Sequence, residues 1–173
     1  MGSAMFRALL PAALFLLWVG SGHAAAQSLV EGRAHTAGQE KMPPCENTMA
    51  GDNCARVLAC IGGDGLWFDG QARGWGKGII LGAMSDGTPC TGSWRYREGV
   101  NIATASLSCE DGTKGKVIYY SQDNVTGTGI GRGLDSRLRG LRVWSGHNVL
   151  EFLTPKDGPG ALLPCTGEPI PIS

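Results

Sequence analysis

Six cysteines carry the clearest chemical signal in this chain of 173 residues. Their even number, in a chain that also carries an export signal, predicts disulfide bonds. Zinc binding is the alternative, but Cys54 and Cys60 are too far apart for a zinc-ligand pair and no CxxC motif occurs. We therefore predict a disulfide-stapled protein. The bonded residues are predicted to be Cys45, Cys54, Cys60, Cys90, Cys109 and Cys165.

Ser145 and His147 come closest to a nucleophile with a base. A turn at residues 144–148 would bring the two side chains together. No nucleophile-elbow pattern surrounds Ser145, and no carboxylate is placed to orient the imidazole ring. We therefore predict that the chain has no catalytic residues, no cofactor and no metal. A hydrolase that uses Ser145 with His147, or a pair of carboxylates, remains an alternative.

Basic residues offer a second possible site. Four arginines fall within residues 132–142, where Asp135 is the only acidic residue. They predict either an anion-binding patch or an ordinary solvated face. The whole chain has 15 basic and 15 acidic residues, which argues against a non-specific nucleic-acid binder. The candidate patch consists of Arg132, Arg137, Arg139 and Arg142.

The first 26 residues are predicted to be a secretory signal peptide. An apolar run at 9–19 follows a single positive charge, and Ala24, Ala25 and Ala26 precede the expected cleavage site. The run is shorter than the roughly 20 residues that a membrane span needs. No cysteine lies directly after the apolar run, where a lipid would be attached. No later apolar run is long enough to span a membrane as a helix. We expect an exported protein, periplasmic or extracellular and not lipid-anchored.

Composition divides the remaining chain into three parts. Residues 27–44 are polar, lack apolar periodicity and predict a flexible leader. Residues 45–153 predict the folded domain. Residues 154–173 carry five prolines, which exclude regular helix or central strand. We expect this proline-rich tail to be clamped to the body through Cys165.

The folded domain is predicted to be all-β. Short apolar or alternating runs are separated by turn residues, including Asp-Gly pairs that tolerate a positive φ. This pattern predicts an antiparallel meander of eight or nine short strands, closed into a barrel or strongly curved, with almost no helix. The expected strands are 57–61, 66–68, 78–81, 90–97, 102–109, 114–121, 126–133, 141–145 and 149–153.

One strand register follows from the sequence. A four-residue loop at 98–101 would place Cys90 opposite Cys109 and Trp94 opposite Ala105. These residues would share one face, while the opposite face would be almost wholly polar. The predicted core contains Val57, Leu58, Ile61, Trp67, Ile80, Trp94, Tyr96, Leu107, Val117, Tyr119, Val143, Val149 and Phe152.

Alternating glycines occur at two places in the chain. Each set would present one bare strand face. Such a face either lets a ligand approach the backbone or accepts an aromatic side chain from a neighbouring strand. The two sets are Gly74, Gly76 and Gly78, and Gly127, Gly129, Gly131 and Gly133.

Two resemblances rest on short motifs. The segments 66–75, 122–124 and 131–133 resemble small exported alphaproteobacterial proteins of unassigned function, which implies export alone. The segments 107–112 and 117–120, with Ser145-Gly146, resemble the C-type lysozyme inhibitors, which are small secreted β-barrels with a disulfide. The second resemblance implies a partner loop formed by Ser145, Gly146, His147 and Asn148.

Three functions are compatible with these patterns. We expect a non-enzymatic exported module that binds a ligand, or another envelope or secreted protein. A protein inhibitor of a cell-wall hydrolase such as lysozyme is the first alternative. The hydrolase described above is the second alternative.

The cysteine spacing yields a testable connectivity. We expect Cys90 to be bonded to Cys109, and we exclude Cys54–Cys60, because a strand would hold these two about 20 Å apart. Two schemes remain, namely Cys45–Cys54 with Cys60–Cys165, or Cys45–Cys60 with Cys54–Cys165. The first is favoured because it closes a short turn-rich loop. Non-reducing peptide mapping distinguishes them, and a Cys54–Cys60 peptide would contradict both.

Overall fold

The computed structural model describes Cys45 and residues 53–170. The predicted signal peptide at 1–26 and leader at 27–44 lie outside the described residues. Eight antiparallel strands follow one another in chain order and close into a barrel, which confirms the predicted all-β meander. The elements are β1 (Cys54–Ile61), β2 (Leu66–Trp75), β3 (Lys77–Met84), β4 (Pro89–Arg97), β5 (Ile102–Cys109), β6 (Lys114–Gln122), β7 (Gly129–Asp135), β8 (Gly140–Gly146) and α1 (Val149–Leu153).

Four hairpin turns at 62–65, 85–88, 110–113 and 136–139 lie at one end of the barrel, which we call the closed end. Three of them contain an Asp-Gly pair, at 64–65, 86–87 and 111–112, whereas the pair at 69–70, also expected to form a turn, lies inside β2. The Asp86 carboxylate accepts a hydrogen bond from the Thr88 amide, and Gly87 adopts a φ of 89°. Such turns favour Asp for its local hydrogen bond and Gly for its positive φ.

The predicted register of β4 against β5 is confirmed. Cys90 lies opposite Cys109, and Trp94 lies opposite Ala105. The two cysteines are bonded, with their Cα atoms 4.0 Å apart. The other bonds are Cys45–Cys54 and Cys60–Cys165, as in the favoured scheme.

The barrel interior near the closed end is filled by apolar side chains. Phe68 is 2% exposed, and its ring packs over the bare faces of Gly70 and Gly82. A Cβ atom at either glycine would come within 2.5–2.6 Å of the Phe68 ring. The predicted glycine Gly78 leaves room for Trp94 in the same way, since an added Cβ would come within 2.8 Å of its indole nitrogen. The inner core consists of Val57, Ala59, Ile61, Phe68, Ile80, Met84, Cys90, Cys109, Leu141 and Val143.

Two predictions were wrong. Residues 149–153 form the helix α1 and not a ninth strand, because β8 already pairs with β7 and β1 and offers no free edge. Val149 and Leu153 are both buried, which fits the four-residue spacing of one helix face. Tyr96 is 41% exposed and not buried, because it lies at the end of β4 away from the closed end.

Boundaries also differ at two strands. The second strand continues from Leu66 to Trp75, well beyond the predicted end at residue 68. The seventh begins at Gly129 and not at residue 126. The Asp123 carboxylate explains the late start, because it accepts hydrogen bonds from the amides of Val125 and Thr126 and so holds a turn.

A second core lies outside the barrel. The outward side chains of Leu58 and Trp144, on the adjacent strands β1 and β8, are covered by α1 and the proline-rich tail. Ala161 and Leu163 of the tail are 1% and 0% exposed. The Cys60–Cys165 bond joins the tail to β1 at this second core. Within residues 53–170, no helix has the length and hydropathy that a membrane span requires.

The Cys60–Cys165 bond is expected to contribute most to stability. It spans 105 residues, for which the chain-entropy model gives about 4.7 kcal/mol, against about 2.7 kcal/mol for the 9-residue Cys45–Cys54 span. Denaturant titration of Cys60→Ala/Cys165→Ala should therefore show a larger loss than that of Cys45→Ala/Cys54→Ala. Of the two variants, only Cys60→Ala/Cys165→Ala should also become sensitive to protease cleavage after Leu153. Equal losses with a protected tail would contradict this assignment.

Candidate functional site

A cavity of about 610 Å³ opens at the end of the barrel opposite the closed end. Its mouth is formed where β1 and β7 begin and where β2, β4 and β8 end. We call this cavity the cup. Its described lining includes Ala55, Ala72, Gly74, Ile80, Trp94, Tyr96, Ala103, Tyr119, Gly129 and Ser145.

The cup exists because inward positions near the mouth carry small side chains. On β2, Ala72 and Gly74 lie near the mouth, whereas the large Phe68 lies near the closed end. On β5, Ala103 lies near the mouth, and Leu107 packs against the inner core. Small barrels are filled by their own side chains or hold one small ligand, and this barrel is filled in only one half.

Trp94 and Tyr96 form one wall of the cup, and hydrogen bonds hold both side chains. The Trp94 indole nitrogen donates to the Arg73 carbonyl oxygen at 3.1 Å. The Tyr96 hydroxyl donates to the side-chain oxygen of Asn101. These bonds preorganise the aromatic surfaces before any ligand arrives.

Tyr119 stands on the inner face of β6 and reaches the end of β8. Its ring is partly accessible from the cavity, but its dense surroundings raise the pKa of the hydroxyl to about 12. The nearby Ser145 side chain acts in the opposite direction and is the weaker influence on this pKa. Gly131 makes room for the ring, since a Cβ there would lie 3.1 Å from Tyr119.

The described lining of the cup is poor in charge. Glu98 is the only acidic residue in this lining, and the lining contains neither lysine nor arginine. Asn53, Asn101 and Gln122 add uncharged polar groups around the mouth, and His147 lies at the rim. This arrangement suits an uncharged ligand, because an anion buried here would have no lysine or arginine partner.

The predicted partner loop forms part of the cup. Ser145 lies on the inner face of β8 beside Tyr119, and Gly146 ends that strand. His147 is exposed at the rim, and the Asn148 side chain donates to the Thr126 carbonyl oxygen at 3.4 Å. Ser145 and His147 both line the cup, and within residues 53–170 no hydrogen bond joins their side chains.

The predicted arginine patch divides into two pairs. Arg137 and Arg139 lie at the closed end, where they bind the carboxylates of Asp111 at 3.0 Å and Asp135 at 2.7 Å. Arg132 and Arg142 face each other across β7 and β8 on the outer surface. Arg132 also lies over the Tyr120 ring, with its guanidinium carbon 5.7 Å from the ring centre. The four arginines therefore do not form one site.

The carboxylates of Asp69 and Asp111 serve local structure. Asp69 binds the Arg56 guanidinium with both oxygens, at 3.0 and 2.7 Å. Hydrogen bonds from Thr113 lower the pKa of Asp111, and its ion pair with Arg137 adds to this. The described residues contain no cluster of three or more metal-ligating side chains.

Sequence reasoning missed the cup itself. The signal was present in the inward residues of the β4–β5 register, where Ala103 and Ala105 lie opposite Tyr96 and Trp94. Small residues opposite aromatic ones also fit the packed concave face of a curved sheet, so this pattern alone does not predict a cavity. Only the closed barrel places Tyr119 and Ser145 on the far side of the same space.

No family model, curated protein or solved structure matches this chain. The resemblances to exported alphaproteobacterial proteins and to lysozyme inhibitors therefore stay predictions. The candidate site stands on geometry alone.

The raised pKa of Tyr119 should delay ionisation of its hydroxyl to about pH 12. Between pH 10 and pH 12 the unfolded chain releases this proton while the folded chain keeps it, so stability falls as pH rises. The loss across this window should be about 2–3 kcal/mol. When tyrosinate absorbance is followed with rising pH, the step at the highest pH should be missing from Tyr119→Phe. If the latest step instead disappears in Tyr120→Phe, the Tyr119 assignment is wrong.

Proposed function

We propose that this chain is an exported, non-enzymatic module that binds a small, uncharged and largely apolar ligand in the cup. The observation that carries the proposal is a cavity of about 610 Å³ with aromatic side chains held in place by hydrogen bonds. Pockets for small molecules are typically concave, about 300–1,000 Å³ in volume, mostly apolar and supplied with a few polar groups.

Aromatic residues surround the proposed path of the ligand. Trp94 and Tyr119 line the interior, while Trp75 is 79% exposed and Tyr120 53% exposed beside the mouth. Exposed rings of this size are costly to leave in water and are enriched at binding surfaces. The neutral side chains of Asn101 and Gln122 would orient the ligand at the rim.

Export is the second part of the proposal. Three disulfides in one small domain are consistent with an oxidising compartment. The predicted signal peptide supports a periplasmic or extracellular location without a lipid anchor. Binding of another envelope or secreted protein remains compatible with the same location.

Ser145 favours the small-ligand function over the other two candidates. Its side chain contacts Tyr119 inside the barrel, whereas a loop that enters an enzyme cleft needs side chains that point away from the body. Hydrolysis would need a base at Ser145, and no hydrogen bond joins Ser145 to His147 among the described residues. A lysozyme inhibition assay tests the first alternative, and a hydrolase assay tests the second. Activity in either assay would support that alternative.

Two fluorescent probes with the same ring system test the proposal. N-phenyl-1-naphthylamine is uncharged, and 8-anilinonaphthalene-1-sulfonate adds a sulfonate. We expect the uncharged probe to bind in the cup more tightly, because the described lining offers neither lysine nor arginine.

Neighbouring residues of β5 supply the matched variants. Ala103→Leu fills the cup, whereas Thr104→Leu changes the outer face at the next position. Ala103→Leu should weaken binding of the uncharged probe at least about tenfold, a change of about 1.4 kcal/mol, with Thr104→Leu unchanged. Thermal unfolding checks that both variants are folded. Equal binding to both folded variants would sink the proposal.

A further inference from the structure

The outer surface of the barrel carries an uncompensated set of basic residues. Strands β3 to β8 contain a single carboxylate, Asp135, which is buried and bound to Arg139. We call the basic residues of these strands the cationic wall. Its members are Lys77, Arg95, Arg97, Lys114, Lys116, Arg132 and Arg142.

Strand register places like charges directly opposite each other. Lys77 faces Arg95 across β3 and β4, and Arg132 faces Arg142 across β7 and β8. Like charges in such positions destabilise a sheet. Within residues 53–170 the ion pairs join other residues, so no carboxylate relieves this repulsion. A protein of zero net charge therefore maintains a repulsive surface at some cost in stability.

Two adjoining shallow grooves run over the cationic wall. One is lined by Lys114, Lys116 and Arg132, together with the buried Asp135 that is bound to Arg139. The other is lined by Lys77, Arg95, Arg97 and again Lys116. Ser93 and Ser106 lie in both grooves, with their hydroxyls 3.3 Å apart. The surface is thus an extended track of cations and hydroxyls, unlike the charge-poor cup.

We propose that the cationic wall binds a linear anionic polysaccharide with carboxylate or sulfate groups. Repeated anions along one chain match cations that recur on neighbouring strands, and charge-assisted hydrogen bonds from arginine and lysine would hold them. Serine hydroxyls can bond the sugar hydroxyls. Ile79 and Ile118, 51% and 55% exposed in the second groove, offer apolar contact for the sugar rings.

The cations of this wall are separate from the cup. Trp94 lines both the cup and the second groove, but no lysine or arginine of the wall lines the cup. Filling the cup with Ala103→Leu should therefore leave polysaccharide binding unchanged. Failure of one proposal would not decide the other.

Titration calorimetry tests the wall at about 0.15 M salt, where loose surface attraction is largely screened. Polygalacturonate presents carboxylates and dextran sulfate presents sulfates, so these two probes distinguish the anion. Dextran is the uncharged control. We expect at least one anionic polymer to bind and dextran not to bind.

Lys116→Glu is the decisive variant, because Lys116 lies in both grooves. Binding of the anionic polymer should weaken about tenfold, while Lys116→Arg should bind normally. Lys156→Glu is the matched control, an equal charge reversal at an exposed tail residue outside both grooves. Thermal unfolding should show all three variants to be folded, since Lys116 is exposed.

Four outcomes would overturn the proposal. They are no binding of either anionic polymer, equal weakening by Lys156→Glu, normal binding by folded Lys116→Glu, and equally tight binding of a single-stranded oligonucleotide or of phosphatidylglycerol vesicles. The last outcome would assign the wall to a nucleic acid or to a membrane surface instead.

Discussion

Closure of the barrel between β1 and β8 is the constraint on which the rest of the structure depends. Six residue pairs, from Arg56 with Gly146 to Ile61 with Leu141, join the first strand to the last. Closure leaves no unpaired strand edge, so the chain after β8 cannot add to the sheet. It turns into α1 instead, and the proline-rich tail crosses the outside of the seam. Leu58 and Trp144 are buried there, and the Cys60–Cys165 bond fixes that cover.

Closure also determines what the interior can be. Eight strands enclose a space that side chains fill when they are large and leave hollow when they are small. Phe68 and Met84 fill the half near the closed end, whereas Ala72, Ala103 and Gly129 leave the other half open. The cup is therefore a consequence of residue size along alternating positions, and its aromatic walls are stable because Trp94 and Tyr119 pack on glycine neighbours.

Local sequence was sufficient where the determining contacts were local. The β4–β5 hairpin could be predicted to the residue, because its loop length and the Cys90–Cys109 pair agree on one register. The helix at residues 149–153 could not be predicted. It forms because both edges of β8 are already paired, and one of the paired strands, β1, is far from β8 in the sequence. The cup depends in the same way on distant residues, since Tyr96 and Ser145 share a space only after the barrel closes.

Net charge is a poor guide to the surface of this protein, because it sums charges without regard to position. The acidic residues of the described chain lie in turns, in α1, in the tail, or in ion pairs such as Asp69 with Arg56 and Asp135 with Arg139. Outward positions of β3 to β8 carry only basic charge. Charges on one surface reinforce one another within about a Debye length of 8–10 Å, whereas carboxylates at the ends of the barrel are partly screened from them. A neutral composition is thus compatible with a surface that attracts anions, and the strand register, by setting cation opposite cation, creates that surface.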